Sequence, residues 1–262
     1  MGAPKALVLR TAGTNCEHET VRALTLAGAS TDLLHAHRLL EDPTRLEGYG
    51  IAVFPGGFSY GDDVAAGRVW GLENRTRLRD ALRGFVDQGG LALGVCNGFQ
   101  VLVESGIFQP DKAPEERDIA LTGNASNHYE CRWVDVEVAD CACPWLTTGE
   151  RFPVPVAHAE GRFVVKDAGV LAALEAGRQI ALRYVSADPA EELAYPADPN
   201  GSIQHIAGIC DTTGRVLGLM PHPERNLDPW NHPNWARRDK REHGEGLDFY
   251  RHMVEAATAA AV

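Results

Sequence analysis

A chain of 262 residues with 44% hydrophobic side chains can bury a substantial core, as one large domain or as two small ones. Its formal net charge of -11, from 36 acidic against 25 basic residues, would repel a phosphate backbone, and no basic stripe offsets that repulsion. We therefore expect no nucleic-acid partner.

The sequence also lacks the patterns of a membrane protein and of a disulfide-stabilised one. No apolar run approaches the roughly 18 residues of a membrane span, and the N-terminus runs into Lys5-Ala6-Leu7-Val8-Leu9-Arg10, which is typical of a strand and not of a signal peptide. The six cysteines are irregularly spaced, so we expect reduced thiols and a cytoplasmic protein without a membrane anchor. Cys141 and Cys143 form the only close pair, and no metal site is expected.

The first half of the chain alternates strand patterns with helix patterns. The predicted elements are strands at 6–10, 31–36 and 50–54, and helices at 17–27, 38–46 and 72–88. Because helices that separate successive strands are typical of parallel sheets, this order predicts an α/β fold. The 72–88 helix is amphipathic, and its inward stripe is predicted to carry Leu78, Leu82, Phe85 and Val86.

A strand, a tight turn and a helix are predicted around Cys96, within Gly94-Val95-Cys96-Asn97-Gly98. The pattern G-x-C-x-G is the cysteine form of a nucleophile elbow, in which small flanking residues tolerate a strained turn. A thiol at a helix N-terminus is favoured as the thiolate, and the backbone N–H of Asn97 is placed to stabilise an oxyanion. The alternative is a buried core cysteine after a parallel strand.

A glycine-rich loop, Pro55-Gly56-Gly57-Phe58-Ser59-Tyr60-Gly61-Asp62-Asp63, follows the third predicted strand. Open α/β sheets place their sites at such carboxyl ends of strands. We expect Gly56 and Gly57 to bring backbone N–H groups to the substrate, as a second oxyanion donor opposite Asn97. A phosphate-binding loop is the alternative, but the Walker pattern is absent and Asp62-Asp63 would repel an anion.

The second half is predicted to be mostly strands. A polar surface loop over 107–121 is followed by strands at 131–138, 151–157, 162–165 and 179–186, a hairpin of 206–210 with 216–220, and a helix at 246–260. Residues 227–244 form a polar insertion rich in Trp and Pro. Because no repeat and no linker divides the chain, a single domain over 1–262 is predicted.

A cysteine nucleophile needs a base and a group that orients the base, and Pro221-His222-Pro223-Glu224 offers both. In extended backbone, side chains two residues apart share a side, so Glu224 is expected to reach the His222 ring. His158 is the strongest rival base, because it also ends a predicted strand beside a carboxylate, Glu160.

Six motifs resemble those of the class I glutamine amidotransferases and, within them, of the glutaminase components of phosphoribosylformylglycinamidine synthases. They are Gly13-Thr14-Asn15-Cys16, Gly56-Gly57-Phe58-Ser59-Tyr60-Gly61-Asp62, Gly94-Val95-Cys96-Asn97-Gly98-Phe99-Gln100, Cys131-Arg132-Trp133-Val134, Pro199-Asn200-Gly201-Ser202 and Met220-Pro221-His222-Pro223-Glu224-Arg225. The resemblance implies a single amidotransferase domain of flavodoxin-like fold, with an open, mostly parallel sheet flanked by helices.

The resemblance also implies the chemistry. Cys96 is expected to attack the side-chain amide of L-glutamine, with His222 relaying protons and Glu224 orienting His222. By the same analogy Gln100 helps to bind glutamine and His158 borders its pocket. Ammonia would pass to a separate synthetase subunit that converts formylglycinamide ribonucleotide to its amidine in purine biosynthesis. ATP and Mg²⁺ are expected on that partner and no cofactor or metal on this chain, and a small bridging subunit is left open.

Two other functions compete with the glutaminase. One is a stand-alone cysteine hydrolase on a similar fold, and the other is a non-catalytic interaction module that keeps the scaffold. The presence of Cys96, His222 and Glu224 together argues against a non-catalytic interaction module. The motifs outside the elbow oppose the generic hydrolase, which needs no Cys131-Arg132-Trp133-Val134 or Pro199-Asn200-Gly201-Ser202.

Overall fold

The computed structural model describes residues 2–113 and 116–260; Met1, the pair 114–115 inside the predicted 107–121 loop, and residues 261–262 lie outside the described residues. The strands are β1 (Lys5–Arg10), β2 (Ser30–His35), β3 (Ile51–Phe54), β4 (Leu91–Val95), β5 (Ile119–Thr122), β6 (Glu130–Val138), β7 (Arg151–His158), β8 (Arg162–Val165), β9 (Ile180–Val185), β10 (Ile206–Cys210) and β11 (Val216–Leu219). The helices are α1 (Glu17–Leu26), α2 (Ala36–Glu41), α3 (Arg68–Arg77), α4 (Arg79–Asp87), α5 (Asn97–Ser105), α6 (Ala168–Ala176) and α7 (Glu245–Ala260).

One nine-stranded sheet runs through both halves of the chain in the order β2-β1-β3-β4-β11-β10-β9-β6-β7. The strands from β2 to β11 pair in parallel, and those from β11 to β7 pair antiparallel. The predicted α/β fold, with a parallel central sheet and flanking helices, is confirmed. The strand-rich second half extends this sheet on one side.

The parallel strands at the centre position the site. Every residue of β3 and of β4 is buried, as expected for parallel strands covered by helices on both faces. β4 pairs in parallel with β3 on one side and with β11 on the other, so the carboxyl ends of the three strands lie side by side. The glycine loop, Cys96 and His222 follow these three strands, and the sheet therefore brings the predicted site residues to one edge.

The predicted 72–88 helix is wrong as a single element. The chain forms α3 and α4 with a break at Leu78, whose φ of -120° and ψ of -7° leave the helical region. Leu78 is buried at this break, and the rest of the predicted inward stripe is buried along α4. Because neither Gly nor Pro marks the break, the hydrophobic pattern runs across it without interruption, and only packing reveals the change of direction.

Three local elements differ from the sequence expectation. β5 lies within the predicted 107–121 loop and pairs with β8 as a separate two-stranded sheet. The pairing removes β8 from the main sheet. α6 was not predicted, and only its Leu174 is fully buried. The predicted irregular helix over 38–46 is α2 followed by a 3-10 turn, Pro43–Leu46.

The polar 227–244 insertion is a loop whose two ends meet. The backbone N–H of Gly244 donates to the carbonyl of Leu227 at 2.8 Å, and a 3-10 turn, Trp235–Arg237, lies between them.

Within the described ranges, no helix combines the length and the apolar character needed to cross a bilayer.

Close packing of β11 on α5 predicts opposite effects of two glycine substitutions. A Cβ on Gly218 would lie 2.0 Å from the Phe99 ring, so Gly218→Ala should lower the free energy of unfolding by about 1–3 kcal/mol through overpacking. Gly84 in α4 has open space around it, so Gly84→Ala should raise that free energy by up to about 1 kcal/mol through helix propensity. Urea unfolding followed by circular dichroism measures both, and equal midpoints would contradict this packing.

Candidate active site

Cys96 lies in a strained turn between β4 and α5. Its φ is +51° and its ψ is -108°, a conformation that costs of order 1–3 kcal/mol for a residue with a side chain. The flanking glycines make the turn possible, because a Cβ on Gly98 would lie 1.7 Å from the carbonyl oxygen of Phe54 and one on Gly94 2.7 Å from that of Gly98. The predicted strand, tight turn and helix are confirmed, with the elbow at Cys96.

The elbow is buried and held by its neighbours. The backbone N–H of Cys96 donates to the Leu219 carbonyl at 2.8 Å, which ties the turn to the end of β11. Its Sγ lies 3.6 Å from the carbonyl oxygen of Ala157 on β7, and only 5% of the residue is exposed. The thiol therefore projects into a site enclosed by strands from both halves of the chain.

His222 and Glu224 form a buried pair. Nδ1 of His222 lies 2.6 Å from Oε1 of Glu224, and both side chains are almost completely buried. The predicted reason for their contact is wrong, since residues Pro223–Arg225 form a 3-10 turn and the backbone is not extended. Pro223 begins the turn, where its fixed φ is favourable, and the turn carries the Glu224 carboxylate back to the imidazole.

The surroundings of His222 favour its protonated form. Burial lowers the pKa of His222, but the Glu224 carboxylate and the Cys96 thiolate raise it, and together they place it well above its ordinary value. With Nδ1 hydrogen-bonded to Glu224, the second ring nitrogen, Nε2, has no hydrogen-bond partner in the described ranges. This arrangement leaves Nε2 as the ring nitrogen that is free to exchange a proton.

A second cysteine, Cys16, also lies beside His222, although the sequence indicated no role for it. Its Sγ is 3.9 Å from Nδ1 of His222 and accepts a hydrogen bond from Nη2 of Arg225 at 3.0 Å. Burial raises the pKa of the Cys16 thiol. Its backbone is unstrained, with φ of -103° and ψ of 9°, and the nitrogen nearest to it is already bound to Glu224. The geometry therefore favours Cys96 over Cys16 as the nucleophile.

One cluster has the geometry of a possible metal site. The side-chain ligand atoms of Cys16, His222 and Glu224 all lie within 4.8 Å of one another, and no other group of this kind occurs among residues 2–113 and 116–260. A metal ion there would have to break the hydrogen bond between His222 and Glu224 and the one between Arg225 and Cys16. The three side chains are better described as an acid–base network.

The glycine loop packs against both His222 and the loop at 13–16. A Cβ on Gly56 would lie 2.7 Å from Cε1 of His222, and Gly57 has a φ of +149°, where a side chain is strained. The backbone N–H groups of Asn15 and Cys16 both donate to the Gly56 carbonyl, at 3.3 and 3.2 Å. The loop is thus held close to His222, and the oxyanion-donor role expected of Gly56 and Gly57 stays a prediction.

Asn97 and Gln100 connect the elbow helix to the surrounding loops. The Asn97 side chain accepts from the N–H of Ser59 at 3.1 Å and donates to Asp62 at 3.2 Å and to Gln100 at 3.0 Å. Nε2 of Gln100 donates to the Glu160 carbonyl at 2.6 Å. Because both polar ends of Gln100 are engaged within the chain, its expected contact with glutamine stays a prediction.

Asp62 lies beside this network at the end of the glycine loop. Burial, reinforced by the charge of Glu160, raises the pKa of Asp62 to about 6. The Glu160 carboxylate itself accepts from the N–H of Ala66 at 3.3 Å. Two carboxylates therefore face each other next to α5, a negative environment that opposes the phosphate-binding alternative.

His158 is buried in the wall of the site and has a different partner from the one the sequence indicated. Its Nδ1 lies 3.0 Å from Oδ1 of Asn124, an amide, and not beside the Glu160 carboxylate. Burial, and then the charge of His222, lower the pKa of His158 to about 3. Its ring is neutral at working pH, and an imidazole this weakly basic is a poor rival to His222 as the base.

The motifs outside the elbow brace the wall that carries His158. Asn200 donates to the Gly161 carbonyl at 2.8 Å, and the Ser202 hydroxyl accepts from the N–H of Phe163 at 2.9 Å. Trp133 packs edge-on against His232 of the insertion, with ring centroids 4.7 Å apart. These contacts give the distant motifs a structural role around one site.

Similarity to known proteins extends over almost the whole chain. The family model of the CobB/CobQ-like glutamine amidotransferase domain matches residues 3–255. This chain belongs to that family. A "Phosphoribosylformylglycinamidine synthase subunit PurQ" from Dehalococcoides mccartyi is 41% identical, covering 98% of this chain and 99% of the relative. The protein of the same name from Archaeoglobus fulgidus is 38% identical over 96% of both chains.

Solved structures of amidotransferases have the same architecture. A chain in the structure of PurLQS from Thermotoga maritima has a TM-score of 0.71 and 28% identity, covering 99% of this chain and all of that one. The glutaminase domain of CTPS from Trypanosoma brucei has a TM-score of 0.58 at 14% identity, over 98% of this chain and 94% of that one, and shares the fold. The predicted amidotransferase fold is thereby confirmed.

The buried position of His158 predicts that its ring does not titrate near neutral pH. Because its pKa is lowered to about 3, its Nε2 and Nδ1 nitrogen shifts should stay those of a neutral imidazole from about pH 5 to 8.5. Nuclear magnetic resonance of ¹⁵N-histidine-labelled protein, assigned with a His158→Gln variant, measures this directly. A titration midpoint near the ordinary value would show that the ring is accessible to water and would reopen its candidacy as a base.

Proposed function

We propose that this chain is the glutaminase subunit of a phosphoribosylformylglycinamidine synthase, which hydrolyses glutamine and supplies ammonia to a synthetase subunit. The observation that carries the proposal is the strained Cys96 elbow, close enough to His222 to raise the pKa of that ring, together with the buried pair of His222 and Glu224. Membership of the amidotransferase family and the names of relatives as similar as 41% support it. The substrate is glutamine, whose side-chain amide is the ammonia source.

The reaction begins with attack of the Cys96 thiolate on the side-chain carbonyl carbon of glutamine. Backbone N–H groups near Gly57 and Asn97 stabilise the oxyanion, a contribution worth about 10²–10³ in turnover for one donor. The His222 imidazolium gives its proton to the leaving nitrogen of this tetrahedral intermediate, and cleavage of the C–N bond releases ammonia and forms the thioester. His222 then takes a proton from water, the resulting hydroxide attacks the thioester, and glutamate leaves with regeneration of Cys96.

Glu224 holds His222 for both proton transfers. Its carboxylate fixes the proton on Nδ1, so that Nε2 faces the reacting atoms, and it stabilises the imidazolium. The pair is buried and packed against Gly56, so water does not compete for the hydrogen bond. His158 stays neutral and lines the pocket, and Gln100 helps to position the substrate by bracing Asn97.

The ammonia acceptor belongs to the partner. A separate synthetase subunit uses ATP and Mg²⁺ to convert formylglycinamide ribonucleotide to formylglycinamidine ribonucleotide in purine biosynthesis. The thiol chemistry of this chain requires neither a cofactor nor a metal. Cytoplasmic assembly with the synthetase, including any small bridging subunit, keeps the released ammonia from dilution.

The stand-alone cysteine hydrolase is the weaker candidate. A generic hydrolase needs the elbow and a base, but relatives covering nearly the whole chain are named as synthase subunits. The two candidates differ in one observable property, because a synthase subunit is expected to hydrolyse glutamine faster when the synthetase chain and nucleotide are present. A rate that is indifferent to the synthetase would favour the hydrolase.

Covalent labelling identifies the nucleophile. A diazoketone analogue of glutamine should form one adduct on the Cys96 peptide, suppressed by excess glutamine, because only Cys96 combines the elbow with the free Nε2 of His222. Peptide mapping by mass spectrometry locates the adduct. Labelling of the Cys16 peptide instead would transfer the nucleophile to Cys16, and labelling that glutamine does not suppress would contradict a glutamine site.

Substitution of the nucleophile separates the two half-reactions. In the complex assembled with its synthetase, Cys96→Ser should lower glutamine-dependent amidine formation by at least about 10³-fold while ammonia-dependent formation continues, since ammonia bypasses the thioester. The matched control is Cys131→Ser, which alters an exposed thiol and should retain both activities. Equal loss of both activities in Cys96→Ser would count against a subunit that only supplies ammonia.

A further inference from the structure

Arg225 makes a contact that the proposed reaction does not use. It follows Glu224 in the 3-10 turn, and its Nη2 donates to Sγ of Cys16 at 3.0 Å. The Cys16 thiol in turn donates to Oδ1 of Asn15 at 3.1 Å. Cys16 is fully buried and Arg225 is half-buried, so the sulfur end of this contact is shielded from water.

Cys16 also connects the two parts of the site that must act together. Its Sγ contacts the turn that carries His222 and Glu224, while its backbone N–H donates to the Gly56 carbonyl at 3.2 Å. The N–H of Phe58 donates to the carbonyl of Gly13 at 2.8 Å and closes the same pair of loops. One residue therefore links the proton-transfer pair to the predicted oxyanion loop.

Arg225 also brings a fixed positive charge to the site. Burial lowers the pKa of Arg225, but neighbouring groups that ionise as anions raise it above its ordinary value, first Cys16 and Glu224, then Glu19 and Cys96. The guanidinium therefore lies close to the carboxylate that contacts His222.

We propose that Arg225 and Cys16 form a positioning pair for glutamine hydrolysis. The guanidinium, hydrogen-bonded to the Cys16 sulfur, holds the turn of His222 and Glu224 against the glycine loop. Neither side chain touches the reacting atoms, because both act through Cys96 and His222. The inference rests on the proposed function, since it assigns a role within that reaction.

Steady-state glutaminase kinetics with the synthetase present test the pair. Arg225→Gln should lower kcat by about tenfold or more, with a change in KM below about threefold, because it disturbs the transition state more than substrate binding. Cys16→Ser keeps an acceptor for Arg225 and should recover most of the kcat that Cys16→Ala loses. Arg237→Gln, which removes an exposed arginine of the 227–244 insertion, is the matched control.

The outcomes are separable from those of the proposed function. An Arg225→Gln variant with the kcat of the wild type overturns the pair, and so does a Cys16→Ala variant as active as Cys16→Ser. Circular dichroism confirms folding, and the Cys16 variants test the pair even when an Arg225 variant does not fold. A wild-type complex that hydrolyses no glutamine would contradict the proposed function, whereas losses confined to the Arg225 and Cys16 variants bear on the pair alone.

Discussion

The close approach of two backbones is the constraint on which this site depends. Gly98, at the start of α5, lies against the carbonyl of Phe54 at the end of β3, with no room for a Cβ. That contact seats the helix on the sheet and forces the residue before the helix, Cys96, into a conformation with positive φ. The strain is maintained by the packed sheet on both sides, because β3 and β11 each pair with β4.

The remaining chemistry follows from where neighbouring parallel strands end. The glycine loop, the elbow and the turn of His222 leave β3, β4 and β11 at one edge of the sheet. Loops that are distant in sequence thereby share one buried volume, in which the Glu224 carboxylate can set the protonation of His222. The antiparallel half adds the wall at His158, braced by Asn124 and Asn200. Both halves of the sheet are thus required for one enclosed site.

The partner of each buried ionisable group determines how burial changes its pKa. His222 and His158 are both buried histidines, yet a carboxylate partner raises the pKa of one and an amide partner leaves burial to lower that of the other. The same contrast distinguishes the two cysteines. Cys96 has a strained backbone next to a helix N-terminus, whereas Cys16 has ordinary dihedral angles and a guanidinium on its sulfur. Partner chemistry, more than residue type, distinguishes the proposed nucleophile, Cys96, and the proposed base, His222, from Cys16 and His158.

The sequence by itself determined the fold class, the elbow and the family. The spacing of Gly94, Cys96 and Gly98 and the alternation of strands and helices are local signals, because glycine and hydrophobic period act through the backbone of a few residues. Only the tertiary structure decided which partners meet. The break at Leu78, the pairing of β5 with β8, the 3-10 turn that joins His222 to Glu224, and the position of Cys16 against Arg225 arise from long-range packing. Such contacts join residues up to 209 positions apart, and no local pattern encodes them.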